Sequence, residues 1–263
     1  MKAQLIQTIT IIALFVVGLT TATASDIAKE KRWADQIVDS IMTGEAQWIP
    51  IENHKYLSIY TENNTDQSVG GAIIMHGIGI HPNWDTIVLP LRSELPEAGW
   101  HTLSIQMPIL KNEAEFNDYI PLFPEVAPRI NAAIAFLKEK GVDNIVLIGH
   151  SLGATMGAHY MANHADKNIA AFVAIGPSAG TESEVDYLNS LKKIRHPVLE
   201  IYGSNDLPAV IKTESEKAKA AKTAGLKHYK QIKVDGADHF FLGKNIELIT
   251  PIKSWMKDYA IKK

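Results

Sequence analysis

The chain has 263 residues, 46% hydrophobic and 21% charged, the balance of one well-cored globular protein. Its formal net charge is −3 with no basic block, so nothing in the balance points to nucleic acid, and the paired lysines read as solvated helix faces. It holds no cysteine, which excludes disulfides and a lipid carried on an N-terminal cysteine.

In chain order, the first stretch is MKAQLIQTITIIALFVVGLTTATAS, laid out as a secretory signal peptide. Lys2 supplies the positive start, Leu5 to Leu19 a largely apolar core, and Ala22-Thr23-Ala24 the small residues after which cleavage is expected. The apolar segment is short for a membrane span, which wants about 20 apolar residues; an uncleaved anchor is the competing reading. Residues 1–24 are thus read as a signal peptide and 25–46 as a helical lead-in around Ala28 to Met42. Residues 47–263 are one domain of an exported protein, periplasmic or secreted, with no stable membrane span after cleavage.

From Gln47, short β-rich runs alternate with amphipathic helical ones, the signature of a mostly parallel sheet covered by helices. Strands are predicted at Gln47 to Ile51, Tyr56 to Thr61, Gly71 to Met75, His101 to Gln106, Asn144 to Gly149, Ala170 to Ile175, Val198 to Tyr202 and Lys230 to Val234. The polar turn ENHK makes the first two an antiparallel edge hairpin. Val126, Ile130, Ala133, Ile134 and Leu137 recur at helical spacing, closed by Gly141. Pro108 to Pro124 is a long connection that either shapes an apolar pocket or packs on its own aromatics. The segment from Gly176 to Pro197 reads as mostly one amphipathic helix, with no room for a large cap domain. Near the C-terminus Leu248, Ile252, Trp255 and Tyr259 form a stripe, with Thr250 and Pro251 as N-cap and first helical residue.

One corner of this pattern carries chemistry. Gly149-His150-Ser151-Leu152-Gly153 fits G-x-S-x-G between an apolar strand and a helix, the arrangement of a nucleophile elbow. Glycines two residues either side of a serine on a sharp turn remove side-chain clashes, and the following helix directs its amides at the hydroxyl. Such a serine needs a base and an orienting acid downstream. Asp206 follows the strand VLEIY and His239 follows YKQIKV, so both lie in loops at strand ends where Ser151 also emerges. Asp235 and Asp238 are rivals to Asp206, but loop neighbours of a histidine usually point away from it. Acyl transfer also needs amides for a developing oxyanion. Leu152 supplies one, and Ile78 or Gly77, in the glycine loop His76-Gly77-Ile78-Gly79, the other. His76 is read as support for that loop, and His81, beside Pro82 and Trp84, as a candidate pocket residue. The two histidines lack a third ligand, so no metal site and no cofactor is expected.

With these residues in hand the chain resembles the α/β-hydrolase superfamily from Gln47 to the C-terminus. The carriers are the HG loop, the GHSLG elbow, the acid loop and the late histidine. The stretch HGIGIHPNWDTIVLPLRSELPEAGWHTLSIQMP is also similar to a bacterial family of exported α/β-hydrolase-like proteins without an assigned function. The resemblance implies an α/β-hydrolase fold, a mostly parallel eight-stranded sheet with helices on both faces. The narrower likeness supports export and implies no particular substrate; the residues themselves are read as a serine hydrolase cleaving carboxylic esters or related acyl bonds, on a small-molecule or envelope-derived ester, through Ser151, Asp206 and His239. The same trio would serve a peptidase, thioesterase or acyltransferase. A non-catalytic binding or envelope-maintenance protein on this fold is the alternative from another class, and dienelactone-type hydrolysis is disfavoured by the missing cysteine.

Overall fold

The β-rich runs of the sequence are the strands of one eight-stranded sheet. They are β1 (Glu45–Ile51), β2 (His54–Thr61), β3 (Gly70–Met75), β4 (Trp100–Ile105), β5 (Ile145–His150), β6 (Ile169–Ile175), β7 (Val198–Asn205) and β8 (Tyr229–Asp238). The computed structural model describes residues 24–261 apart from 53, 165, 180–182 and 184. The predicted signal peptide therefore lies outside the described residues, except for Ala24. The strand order is β1-β2-β4-β3-β5-β6-β7-β8. β1 and β2 form the antiparallel edge hairpin, β2 runs antiparallel to β4, and the remaining pairs are parallel.

Every position of β3, β4 and β5 is buried, as expected of parallel strands covered on both faces. The two-residue period of a strand divides their side chains between two cores. Ile73, Met75, Leu147 and Phe172 face one core, with residues of α3 (Val126–Glu139), α4 (Leu152–Asn163), α5 (Tyr187–Leu191) and, after the short α6 (Pro208–Ile211), α7 (Glu214–Thr223). Ala72, Ile74, Val146, Ile148 and Val173 face the other, with α2 (Val88–Glu94) and α8 (Asn245–Tyr259). Leu147 and Ile148 are fully buried on opposite faces, each worth about 1.5–3 kcal/mol of apolar burial. The lead-in is α1 (Ile27–Ile37), whose Ala34 and Ile37 pack on Leu57 of β2. The sheet begins at Glu45, two residues before the predicted domain start at Gln47.

Three expectations are corrected. The C-terminal helix starts at Asn245, not Pro251, because Gly243 turns the chain at φ 68° and the apolar side of the helix docks from Leu248 onward. Pro251 is interior, leaving the Glu247 carbonyl without an i+4 amide, and Tyr259 is exposed rather than part of the buried stripe. Among the described residues between β6 and β7, only Tyr187–Leu191 is α-helical: Asp186 fixes its start by accepting from the Leu188 and Asn189 amides. The chain then heads for Pro197, before which helical backbone is disfavoured. The long connection after β4 is not a bare loop but contains a 3-10 helix, Phe116–Glu125, with Tyr119, Leu122 and Phe123 buried. Its aromatics thus pack inward. The continuous helical stretch 116–139 is long and apolar enough to cross a membrane by length and composition. Here its fully buried Arg129 is paired with Glu30 of α1.

Candidate active site

The loops at the C-terminal ends of β3, β5, β7 and β8 bring Gly77, Ser151, Asp206 and His239 to one edge of the sheet. Ser151 caps α4 with φ 55° and ψ −121°, a left-handed conformation that a non-glycine residue adopts only under strain. Its amide donates to the Ile175 carbonyl at 2.8 Å, tying the corner to β6. The flanking glycines are required by close approach. A Cβ on Gly149 would lie 2.5 Å from the Gly153 oxygen, and one on Gly153 would lie 2.5 Å from the carbonyl oxygens of both Met75 and His76.

Ser151 Oγ is 3.0 Å from His239 Nε2, and His239 Nδ1 is 2.6 Å from Asp206 Oδ1. Because an ionised carboxylate only accepts, Nδ1 carries the proton and Nε2 is left free to accept from the serine hydroxyl. Burial pushes the Asp206 carboxyl up, but hydrogen bonds from His239 and from the Leu207 and Gly203 amides outweigh it and hold the group below its ordinary value. The acid is buried, the histidine nearly so, and the serine half-buried. The rival aspartates have other partners. Asp238 accepts from the Phe240 and Leu242 amides in the turn after His239, and Asp235 accepts from the Ser204 hydroxyl.

Two of the expected amide donors, Leu152 and Gly77, adjoin the serine. Leu152 opens α4, so its N–H has no carbonyl one turn earlier. Gly77 lies against the serine: a Cβ there would come within 2.8 Å of Ser151 Cβ. His76 is buried beneath this loop, where Nε2 accepts from the Met107 amide at 2.9 Å and Nδ1 donates to the Gly77 carbonyl at 2.9 Å. A trans peptide places its N–H opposite its C=O, so anchoring that carbonyl turns the Ile78 amide away from His76. His81, by contrast, sits edge-on between Trp33 of α1 and Trp84, with ring centroids at 5.6 and 5.4 Å. Among the described residues no cluster of three or more His, Cys, Asp or Glu side chains is arranged to hold a metal.

Two supports escaped the sequence reading. His150 is not only the variable residue of the elbow: its Nε2 donates to the His239 carbonyl at 3.0 Å, and its ring lies 4.8 Å from the His239 ring. Beneath the acid loop, Lys217 and Glu200 form a fully buried ion pair at 2.8 Å, and Lys217 also donates to the carbonyls of Pro177 and Val210. Exposed apolar side chains stand next to the trio in the chain: Leu207 follows the acid, and Phe240, its ring 5.3 Å from that of His239, and Leu242 follow the histidine.

The buried histidines predict acid sensitivity. Burial pushes both His76 and His150 down to about 3 from 6.5. The unfolded chain takes up these protons below pH 6.5 while the folded chain refuses them until about 3. Stability is therefore full above that window and falls as pH drops through it. Thermal unfolding from pH 7.5 to 4 should show a declining Tm, less steep in His150→Asn; a flat wild-type profile would contradict the burial of these rings.

The chain matches the family described as "Protein of unknown function (DUF3530)" over residues 20–119 and 122–258. It belongs to that family. A comparison with curated protein sequences gives no match. Among solved structures, an esterase of Pyrococcus furiosus is similar at 17% identity and a TM-score of 0.65, over 82% of this chain and 93% of that one. Est1E from Butyrivibrio proteoclasticus is similar at 16% identity and a TM-score of 0.63, over 82% and 98%. The esterase domain of a Rhodothermus marinus protein is similar at 15% identity and a TM-score of 0.61, over 83% and 100%. At these identities the likeness is one of fold, and the fold is that of the α/β-hydrolases.

Proposed function

We propose that this member of the DUF3530 family is an exported serine hydrolase acting on carboxylic esters or related acyl bonds. The observation that carries the proposal is the unbroken relay from Asp206 through His239 to a half-buried serine on a strained corner. In this reading His239 Nε2 takes the Ser151 proton as Oγ attacks the carbonyl carbon, and Asp206 stabilises the imidazolium. Negative charge on the carbonyl oxygen is met by the amides of Leu152 and of Ile78 or Gly77, each worth about 3–4 kcal/mol in such a role. His239 then returns the proton to the leaving alkoxide, and water drawn through the same histidine releases the acid from Ser151. The exposed apolar side chains of Leu207, Phe240 and Leu242 beside the trio support a substrate with an apolar acyl or leaving group, either a small molecule or an envelope-derived ester.

The test is labelling of the processed protein by a fluorophosphonate probe, beside turnover of short-chain p-nitrophenyl esters. Covalent labelling at Ser151 with ester turnover is the expected result. A folded protein that neither labels nor turns over ester would refute the hydrolase and favour a binding role for the fold.

A further inference from the structure

The residue immediately after the predicted cleavage point is seated in a site of its own. Ala24 is exposed, whereas Ser25 is buried at 6% exposure. The Ser25 nitrogen donates to Glu125 Oε1 at 2.9 Å. Its hydroxyl donates to Glu30 and lies 3.2 Å from the Ile109 carbonyl, and it accepts from the Ile109 amide at 2.9 Å. Asp26 continues the pairing, its amide donating to the same Ile109 carbonyl at 2.8 Å. A backbone nitrogen in mid-chain needs one acceptor, and any carbonyl would serve. Here the acceptor is a carboxylate contributed from 100 residues away.

The charges around that nitrogen do not balance as the chain stands. Arg129, fully buried, holds Glu30 by two bonds at 2.7 and 3.0 Å and lies 3.6 Å from Glu125. Two carboxylates thus share one guanidinium, Glu30 buried and Glu125 partly exposed, and their surplus negative charge leaves a place for a second cation. Hydrolysis of the Ala24–Ser25 bond creates that cation. Water adds across the amide, the Ala24 carbonyl leaves as a carboxylate on the released peptide, and Ser25 keeps an α-ammonium with three donors. A cavity of about 400 Å³ lined by Ala24, Ser25, Glu125 and Pro128, among others, adjoins the nitrogen and leaves room for its further protons and their water.

We infer that Glu125, with the Glu30–Arg129 pair beside it, is a receptor for the new N-terminus, so that removal of residues 1–24 completes a partly buried ion network of two carboxylates and two cations. The inference rests on the export reading for the cleavage, while the receptor geometry is independent of it. The small residues Ala22-Thr23-Ala24 and the receptor select the same peptide bond by unrelated criteria. Cleavage precedes docking, since a docked Ser25 is out of reach of a peptidase.

The full-length chain would be expressed in an exporting bacterial host and its intact mass measured. A mature chain beginning at Ser25 is expected. A start elsewhere overturns the receptor, and a retained leader overturns both it and the export reading. Thermal unfolding would then be compared for the Ser25-start chain and a chain extended by Ala22-Thr23-Ala24, each with Glu125 or with Glu125→Gln. The substitution should lower Tm in the Ser25-start chain by on the order of 4 °C more than in the extended chain. Equal losses in both backgrounds would overturn the ammonium receptor and leave export standing.

Discussion

Ser151→Ala is expected to abolish fluorophosphonate labelling and to lower ester turnover by a factor on the order of 10³ or more, with the fold and Tm nearly unchanged. The side chain lost is a single oxygen at a half-buried position, and the strain of the corner resides in backbone angles that alanine shares. His239→Ala should cost a comparable factor, because Ser151 Oγ then has no acceptor for its proton at 3.0 Å. The two losses should not multiply in the double variant: serine and histidine act as a unit, and what remains is binding and amide stabilisation. Turnover surviving in Ser151→Ala would place the chemistry elsewhere.

The second large effect is on stability. Lys217→Met should destabilise the protein by about 3–5 kcal/mol, since it strands the buried Glu200 carboxylate. In a chain of this size that is a Tm loss of roughly 10 °C. Glu200 would retain the Tyr229 hydroxyl at 2.8 Å and the Gln231 amide at 3.2 Å, neither of which carries a charge. Adding Glu200→Gln to Lys217→Met should recover part of the loss, because the second change removes the stranded charge. A single variant that unfolds within 2 °C of wild type would show that the pair contributes little. Activity is a second readout. Lys217 binds the Pro177 and Val210 carbonyls on either side of the Asp206 loop, so slackening there should lower turnover before unfolding begins.

The parts of the architecture legible in the sequence are those whose cause is local. The elbow is readable because its spacing is local and Gly149 is fixed by Gly153 and Ala154, four and five residues on, although Gly153 answers to the distant carbonyls of Met75 and His76; the strands are readable because β-branched runs buried on both faces have few alternatives. Asp206 and His239 are readable by their places after strands. Buried ion pairs are another matter. Glu30 and Arg129 lie 99 residues apart, and nothing near either announces the other. Glu200 and Lys217 look like ordinary charges in a strand and a helix. The misplaced start of α8 has a local cause that proved false: Thr250-Pro251 has the chemistry of a helix beginning, yet burial of Leu248 and Ile249 carries the helix past it. His150 was legible as elbow spacing but not as a clamp on the His239 backbone, because that bond spans 89 residues.

The order of strands in the sheet also sets a timetable. Ser151 follows β5, Asp206 follows β7, and His239 follows β8, the edge strand opposite β1, which among the described residues pairs with β7 alone. A chain emerging from its N-terminus can lay down β1 to β7 and still hold a serine with no base beside it. Pairing across such distances is slow, because the closure entropy of each crossover precedes its reward. In the proposed hydrolase the trio is therefore completed only once β8 is in place, and a molecule halted short of β8 would lack its base.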